Sequence, residues 1–253
     1  MFQSFVAVGE WANFGWQCLR SGLSSFRRPN LVLPQLHHTF IGALPLAIVA
    51  GLALGAVIWM HTHTILARTG TEEFMPTMLS VAVLLELAPI GAGLILAARS
   101  GAAIGAELGA MKITEQIDAL ELLGVPAQQR LVGPRVLACM IAMPLLHVFI
   151  ATLAIGSGFL AENVVNGTTW LSYESAFLTG NRSELYLREV IPAALKTIVF
   201  GYVVAVAGCY YGLRAVGGTE GVGQATTRSV VAAALGVMLA DVILVGMIQI
   251  LIG

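Results

Sequence analysis

Several apolar runs, each about as long as a bilayer is thick, constrain this chain more than any other feature. A helix needs roughly 20 apolar residues to cross about 30 Å of hydrocarbon. The runs are Phe40–Met60, Phe74–Ala98, Val136–Ala161, Thr197–Leu213, which can extend in both directions, and Ser229–Gly253. Only 11% of the residues are charged, against about a quarter in a soluble domain. The sequence therefore predicts an all-α integral membrane protein with five transmembrane helices.

The distribution of basic residues predicts how the chain is oriented. An odd number of spans places the two termini on opposite sides of the membrane. A cytoplasmic N-terminus makes most basic residues cytoplasmic: Arg20, Arg27, Arg28, Arg99, Lys112, Arg130, Arg135, Arg214 and Arg228. The other side then holds Arg68, Arg182, Arg188 and Lys196. This bias agrees with the positive-inside rule, so we expect the N-terminus to be cytoplasmic and the C-terminus to lie outside.

Residues 1–35 predict an interfacial helix followed by a linker. Trp11 and Trp16 stand among polar residues, so this segment is too polar to span the membrane but suits the headgroup level. Its arginines follow the aromatic stretch, which is not the order found in a signal peptide. Pro29 and Pro34 are expected to break the chain before the first span.

Residues 36–253 then form the five-span domain. Residues 162–189 are mostly polar and predict an external loop with a short helix. Glycines also recur at intervals of four, as at Gly51 and Gly55 or at Gly208 and Gly212. Such spacing lets helices approach closely, and it serves packing within the chain as well as dimerisation.

A charged segment between the second and third apolar runs predicts a short amphipathic helix over residues 113–123. Its apolar positions recur at spacings of four, three and three residues, and they are Ile113, Ile117, Leu120 and Leu123. Lys112, Glu115, Asp118 and Glu121 lie elsewhere around the helix. Two interpretations remain open for this cytoplasmic segment: a helix that docks into a partner protein, or a solvated helix on the headgroups.

The sequence lacks the motifs of the common catalytic and nucleotide sites. Lys112 and Lys196 are its only lysines, and neither ends a P-loop. The glycine-rich run Gly217–Gly223 has no lysine and is expected to be a tight cytoplasmic turn. His61 and His63 point to different faces of a helix, so we expect no metal site. The net charge of −1 gives no basis for a nucleic-acid partner. We expect a protein that is not an enzyme and binds no cofactor itself.

Two segments resemble the MlaE family of ABC-transporter permeases. The first runs from Ala98 to Glu121, contains Gly101-Ala-Ala-Ile-Gly-Ala-Glu-Leu-Gly, and continues through Gly124-Val-Pro to Leu131–Ala138. The second is Glu220–Val231, with Asp241 beyond it. The resemblance extends from about the first span to the end of the chain.

This resemblance implies a homodimer in the bacterial inner membrane. Each subunit would pair with a cytoplasmic ATPase, which would bind ATP and Mg, and with a periplasmic MCE-domain protein. A STAS-domain protein often joins such complexes. Together they would move phospholipids between the inner membrane and a periplasmic carrier route, which supports the lipid asymmetry of the outer membrane.

On the basis of this resemblance, we predict roles for individual residues. The helix over residues 113–123 would couple the permease to the ATPase through the following residues: Thr114, Glu115, Ile117, Asp118, Leu120 and Glu121. Glu86, near the middle of its span, would face a lipid cavity at the dimer centre, where a carboxylate must pair, meet water or take up a proton. The alternative is a structural role for Glu86, as in a hydrogen bond between helices. Leu87, Ile65 and Leu66 would form the apolar wall, and Asp241 is a second intramembrane carboxylate.

One position departs from the family pattern. Relatives often carry Arg-Glu before the Leu-x-Pro of the second span, whereas this chain has Leu85-Glu86. A different lipid, or a positive charge supplied from elsewhere, would each account for the change. Two further functions remain open: a permease for sterols or other apolar lipids, and a membrane scaffold that transports nothing. A scaffold has little reason to keep Glu86 and Asp241, since each costs about 2.5–3.5 kcal/mol on insertion.

Overall fold

The computed structural model describes residues 2–178 and 190–252, and throughout these stretches the regular structure is helical. The α-helices are α1 (Phe2–Ser25), α2 (Pro29–Thr69), α3 (Met75–Ala82), α4 (Ala88–Leu96), α5 (Ala102–Ile113), α6 (Gln116–Leu122), α7 (Gly133–Asn166), α8 (Trp170–Leu178), α9 (Ile191–Gly212) and α10 (Gly218–Ile252). A 3₁₀ turn spans Glu72–Phe74, and π-helical turns span Val83–Leu87, Ala97–Gly101 and Gln128–Val132.

Five helical segments are long and apolar enough to cross a membrane. They are Pro29–Thr69, Glu72–Ile113, Gln128–Asn166, Ile191–Gly212 and Gly218–Ile250. We refer to them as the first to the fifth span. The expected all-α membrane architecture is therefore confirmed. Of the expected external loop, residues 179–189 lie outside the described residues, with Arg182 and Arg188 among them, and α8 precedes them.

The break expected at Pro34 does not occur, because α2 begins at Pro29 and continues through Pro34 and Pro45. Proline is well suited to the first position of a helix, where its missing N–H has no partner to lose. Pro34 leaves only the carbonyl of Asn30 without its intrahelical donor, and Asn30 is exposed at the end of the helix. The boundary expected after residue 35 consequently lies inside α2.

The helix expected over residues 113–123 is shorter and starts later. Ile113 is the last residue of α5, and Glu115 adopts a left-handed conformation with φ of 59° that separates α5 from α6. The Thr114 hydroxyl donates to the carbonyl of Ala110 at 2.8 Å and closes the end of α5. Ile113 and Ile117 therefore belong to different helices.

Glycines allow the first and third spans to pack backbone against backbone. A Cβ atom at Gly51 would lie 2.9 Å from Leu153 Cβ, and one at Gly55 would overlap the carbonyl of Ala154 and the hydroxyl of Ser157. At the fourth span, a Cβ on Gly212 would meet Leu108 of α5 at 2.8 Å. Of the two uses left open for these glycines, the structure shows packing within the chain.

We expect Gly55→Ala to destabilise the fold, because the new methyl group has no room against α7. Overpacking of this kind costs about 1–3 kcal/mol, which should lower the melting temperature of the purified protein in detergent. Gly156→Ala is the matched control, since Gly156 lies in α7 with open space around its Cβ position. Equal melting temperatures for the two variants would contradict the packing described here.

Candidate functional site

An ionic cluster lies within the helical bundle, where the second, fourth and fifth spans meet. Lys196 of α9 donates from Nζ to Glu86 Oε2 at 2.9 Å, and the same Nζ lies 2.9 Å from Asp241 Oδ1 of α10. We call Glu86, Lys196 and Asp241 the ion triad. Lys196 forms an ion pair with each carboxylate, although only its contact with Glu86 is a hydrogen bond and Asp241 Oδ1 accepts none within the described residues. The three spans are therefore held together by charge as well as by packing.

The triad is buried on one side and open on the other. The side chains of Lys196 and Asp241 are 2% and 10% exposed, whereas that of Glu86 is 42% exposed. With all three groups ionised, the cluster carries one excess negative charge. That excess lies toward the open side, because the buried Lys196–Asp241 pair is neutral as a unit. Glu86 is therefore the member that a ligand could reach.

A π-helical turn places Glu86 beside the lysine. Val83–Leu87 forms this wider turn, and the N–H of Ala88 donates to the carbonyl of Val83. Pro89 follows directly, and its ring would clash with the carbonyl four residues earlier in a regular helix. The wider turn relieves that clash, and π turns of this kind often occur at functional sites. The turn Gln128–Val132 stands in the same position before Pro134.

His147 completes the hydrogen bonding of this turn. Because Ala88 donates to Val83 and Pro89 has no N–H, the carbonyl of Leu84 lacks a helical partner. The buried His147 lies with Nε2 3.2 Å from that carbonyl oxygen. A carbonyl only accepts, so Nε2 must carry the proton in this contact. Pro89 and His147 thus position Glu86 from two sides.

The sequence analysis did not identify Lys196 as a site residue. Its charge suggested the outer surface, but α9 starts at Ile191 and places Lys196 in its second turn, within the fourth span. The available signal was an uncompensated pair of intramembrane carboxylates, which calls for an intramembrane cation. Lys196 supplies a positive charge to Glu86 from another span, which is one of the two explanations considered above for Leu85.

The residues expected to line the lipid cavity lie at different depths along the helical bundle. Leu87 follows Glu86 in the π turn and is half-buried. Glu86 lies near the level of His147, whereas Trp59 of α2 bonds to Glu162, 15 residues further along α7. At about 1.5 Å per residue this separates the two levels by roughly 20 Å. Ile65 and Leu66 lie beyond Trp59, so the predicted path from Glu86 would extend along the bundle.

A polar cluster marks the level of Trp59. Glu162 Oε2 accepts from Trp59 Nε1 at 2.6 Å, and Oε1 accepts from Asn166 Nδ2 at 2.8 Å. Tyr173 of α8 is buried close by, and burial first and the Glu162 charge second raise the pKa of its hydroxyl to about 12. The hydroxyl therefore stays protonated. The rings of Trp170 and Tyr173 contact Phe159 and pack α8 against this end of the third span.

The expected coupling segment presents an acidic surface with two exposed leucines. Ile117 is buried within its own chain and Leu120 is half-buried, while Glu115, Asp118 and Glu121 are exposed. Asp118 accepts from Lys112 Nζ at 2.7 Å. Leu122 and Leu123 are 89% and 78% exposed. Leu123 belongs to the expected apolar face, whereas Leu122 does not. Ile117, expected to contact the partner, is instead buried within the chain.

Several known proteins with similar sequences are named as permeases. A family model described as Permease MlaE matches residues 32–247. The probable ABC transporter permease protein of Rickettsia typhi is 33% identical over 236 residues, covering 93% of this chain and 89% of that protein. The intermembrane phospholipid transport system permease protein MlaE of Haemophilus influenzae is 30% identical, covering 85% of this chain and 81% of its own length.

We expect Lys196→Met to destabilise the chain strongly, because it leaves two carboxylates without their cation. Breaking a buried pair costs about 3–5 kcal/mol. Adding Glu86→Gln and Asp241→Asn to this variant should restore much of the melting temperature, since no unpaired charge then remains. Lys112→Met is the control, because the exposed pair with Asp118 is worth at most about 1 kcal/mol. A triple variant that melts no higher than Lys196→Met would show that the triad charges do not interact as described.

Proposed function

The chain belongs to the MlaE permease family, and we propose that it is the membrane-spanning subunit of an ABC transporter that moves phospholipids. Transport would run between the inner membrane and a periplasmic MCE-domain carrier, and would support the lipid asymmetry of the outer membrane. The name of the Haemophilus relative assigns that protein to an intermembrane phospholipid transport system. The relatives are named as permease proteins, not as enzymes.

The half-open ion triad is the observation that carries this proposal. A phospholipid headgroup brings a phosphate, and commonly an ammonium group, into an apolar environment where each needs a partner. Glu86, the exposed member of the triad, can pair with the ammonium group, while the buried Lys196 and Asp241 hold its carboxylate in place. The excess negative charge and the open side of Glu86 favour this contact. A sterol has a single hydroxyl group and does not need a cluster of three charged side chains for its binding. A scaffold that transports nothing does not need one either.

The energy source would be a separate cytoplasmic subunit. The chain has no P-loop, so ATP and Mg would be bound by an ATPase partner. We propose that α6 couples the two proteins, with Glu115, Asp118 and Glu121 as polar contacts and Leu122 and Leu123 as apolar ones. This requires a cytoplasmic N-terminus, a periplasmic C-terminus and location in the bacterial inner membrane.

Two further assembly features belong to the same proposal. A homodimer would close the open side of Glu86 into a central cavity. Residues on α2 and α10 expose large apolar side chains for contact with lipid or with the second subunit, for example Val49, Leu52, Leu239 and Val242. A periplasmic MCE-domain protein would receive the lipid, and a STAS-domain protein would join on the cytoplasmic side.

We expect Glu86→Gln to reduce phospholipid transport while the complex still assembles. The change keeps the shape of the side chain but removes a charge-assisted contact, so transport per assembled complex should fall roughly tenfold or more. The measurement is transfer of labelled phospholipid from proteoliposomes to the purified MCE-domain protein. Glu72→Gln is the control, because Glu72 is exposed at the start of the same span. Unchanged transport with a lowered melting temperature would assign Glu86 a structural role only.

Reversing the charge of α6 should separate the permease from its ATPase. With Glu115→Lys and Asp118→Lys together, the acidic surface becomes basic and Lys112 loses its partner. We expect loss of ATPase co-purification and of transport, with normal insertion into the membrane. The double variant Glu72→Lys and Glu73→Lys makes the same change in charge at the other end of the second span. Survival of both co-purification and transport in the α6 variant would disprove the coupling role.

A further inference from the structure

A small cavity lies where the fourth span ends and the fifth begins. Its volume is about 130 Å³, and its polar lining comes from Tyr210, Tyr211, Arg214, Gln224 and Arg228. A wider cleft of about 520 Å³ adjoins it, shares Gln224 and Arg228, and adds Glu220. Gly217 and Gly218, with φ of 92° and 69°, make the sharp turn between the two spans that forms this cavity.

Both arginines in the cavity have unused hydrogen-bond donors. Arg214 stacks over the Tyr210 ring at 3.8 Å, and its Nη2 lies 3.7 Å from Glu10 Oε2, which is too far for a hydrogen bond. Within the described part of the chain, the Arg228 side chain forms neither an ion pair nor a hydrogen bond. Two guanidinium groups therefore line one cavity, and the 3.7 Å ion pair of Arg214 with Glu10 leaves most of their hydrogen-bond donors unused.

The residues around the cavity indicate that it lies at the depth of the lipid phosphates. Arg214 is two residues beyond the end of α9, and Arg228 directly precedes the apolar run of α10 that starts at Ser229. On the same side, α1 packs on this site, with Trp11 stacked on Tyr210 at a centroid distance of 4.2 Å. Tryptophan and arginine are typical of the interface between hydrocarbon and water. Each of these elements marks the same boundary of the bilayer.

We propose that this cavity binds the phosphate of a phospholipid headgroup from the adjacent leaflet, between Arg214 and Arg228. Guanidinium groups bind phosphate with paired hydrogen bonds, and two of them suit a phosphodiester. The Gln224 amide can donate a further hydrogen bond. The bound lipid would hold α1 against the turn between the fourth and fifth spans. This site is separate from the ion triad and does not depend on which lipid is transported.

Arg228→Gln tests the proposal, because Arg228 lines the cavity without supporting α1. Purified, delipidated full-length protein is titrated with dioctanoyl phosphatidylglycerol, and native mass spectrometry counts the lipids bound per chain. We expect one saturable lipid to be lost, or its affinity to fall roughly tenfold, in Arg228→Gln. Arg130→Gln is the matched control, since Arg130 is also exposed but lies in the turn Gln128–Val132. It should bind lipid like the unchanged protein.

Three results would overturn the proposal. The first is equal lipid binding by Arg228→Gln and the unchanged protein. The second is full displacement of the lipid by inorganic phosphate at equal concentration, which would make the site one for free phosphate. The third is an Arg228→Gln complex that loses the ATPase while its lipid binding is unaffected, which would make the cavity a protein contact. Because Glu86→Gln leaves this cavity intact, failure of the proposed transport function would not change how any of these three results is interpreted.

Discussion

A charged lysine in the middle of an apolar helical bundle requires carboxylates beside it, and this requirement organises the second, fourth and fifth spans. Lys196 places its ammonium group 2.9 Å from Glu86 and 2.9 Å from Asp241. Removing ions from water costs several kcal/mol each, and only close pairing offsets this cost. The relative rotation of the three spans is therefore constrained, since turning any one of them would leave a charge unpaired.

The geometry around the triad depends in turn on a proline. Pro89 cannot be accommodated in a regular helix without a clash, and the π turn Val83–Leu87 relieves it. The turn frees the carbonyl of Leu84, which His147 of the third span takes up. Glu86 is presented to Lys196 as a consequence, with part of its side chain open. Pro89 thus determines the geometry of the helix and, through it, the exposure of the Glu86 charge. The proposed headgroup contact depends on that exposed charge.

The two ends of the bundle serve different purposes. At the end that carries α8, Glu162 accepts hydrogen bonds from Trp59 and Asn166 and fixes the first span to the third. At the other end, α1 packs beside Tyr210 and Arg214, and α6 exposes its acidic residues. Rigid contacts between the first and third spans, made possible by Gly51 and Gly55, join the two ends. A frame joined in this way suits the lipid transport and the ATPase coupling that we propose.

The sequence by itself determined the class of protein, the number of spans and the presence of two carboxylates within them. Long apolar runs have only one stable arrangement in a bilayer, because backbone groups there must bond within the helix, and Glu86 and Asp241 stand out against them. The sequence did not determine the partner of these carboxylates. Lys196 and Glu86 are 110 residues apart, and no local pattern relates them.

The phase of α6 and the continuation of α2 through Pro34 were likewise decided by local geometry that residue spacing does not encode. Which charges meet depends on the rotation and depth of packed helices, and only the tertiary structure fixes these.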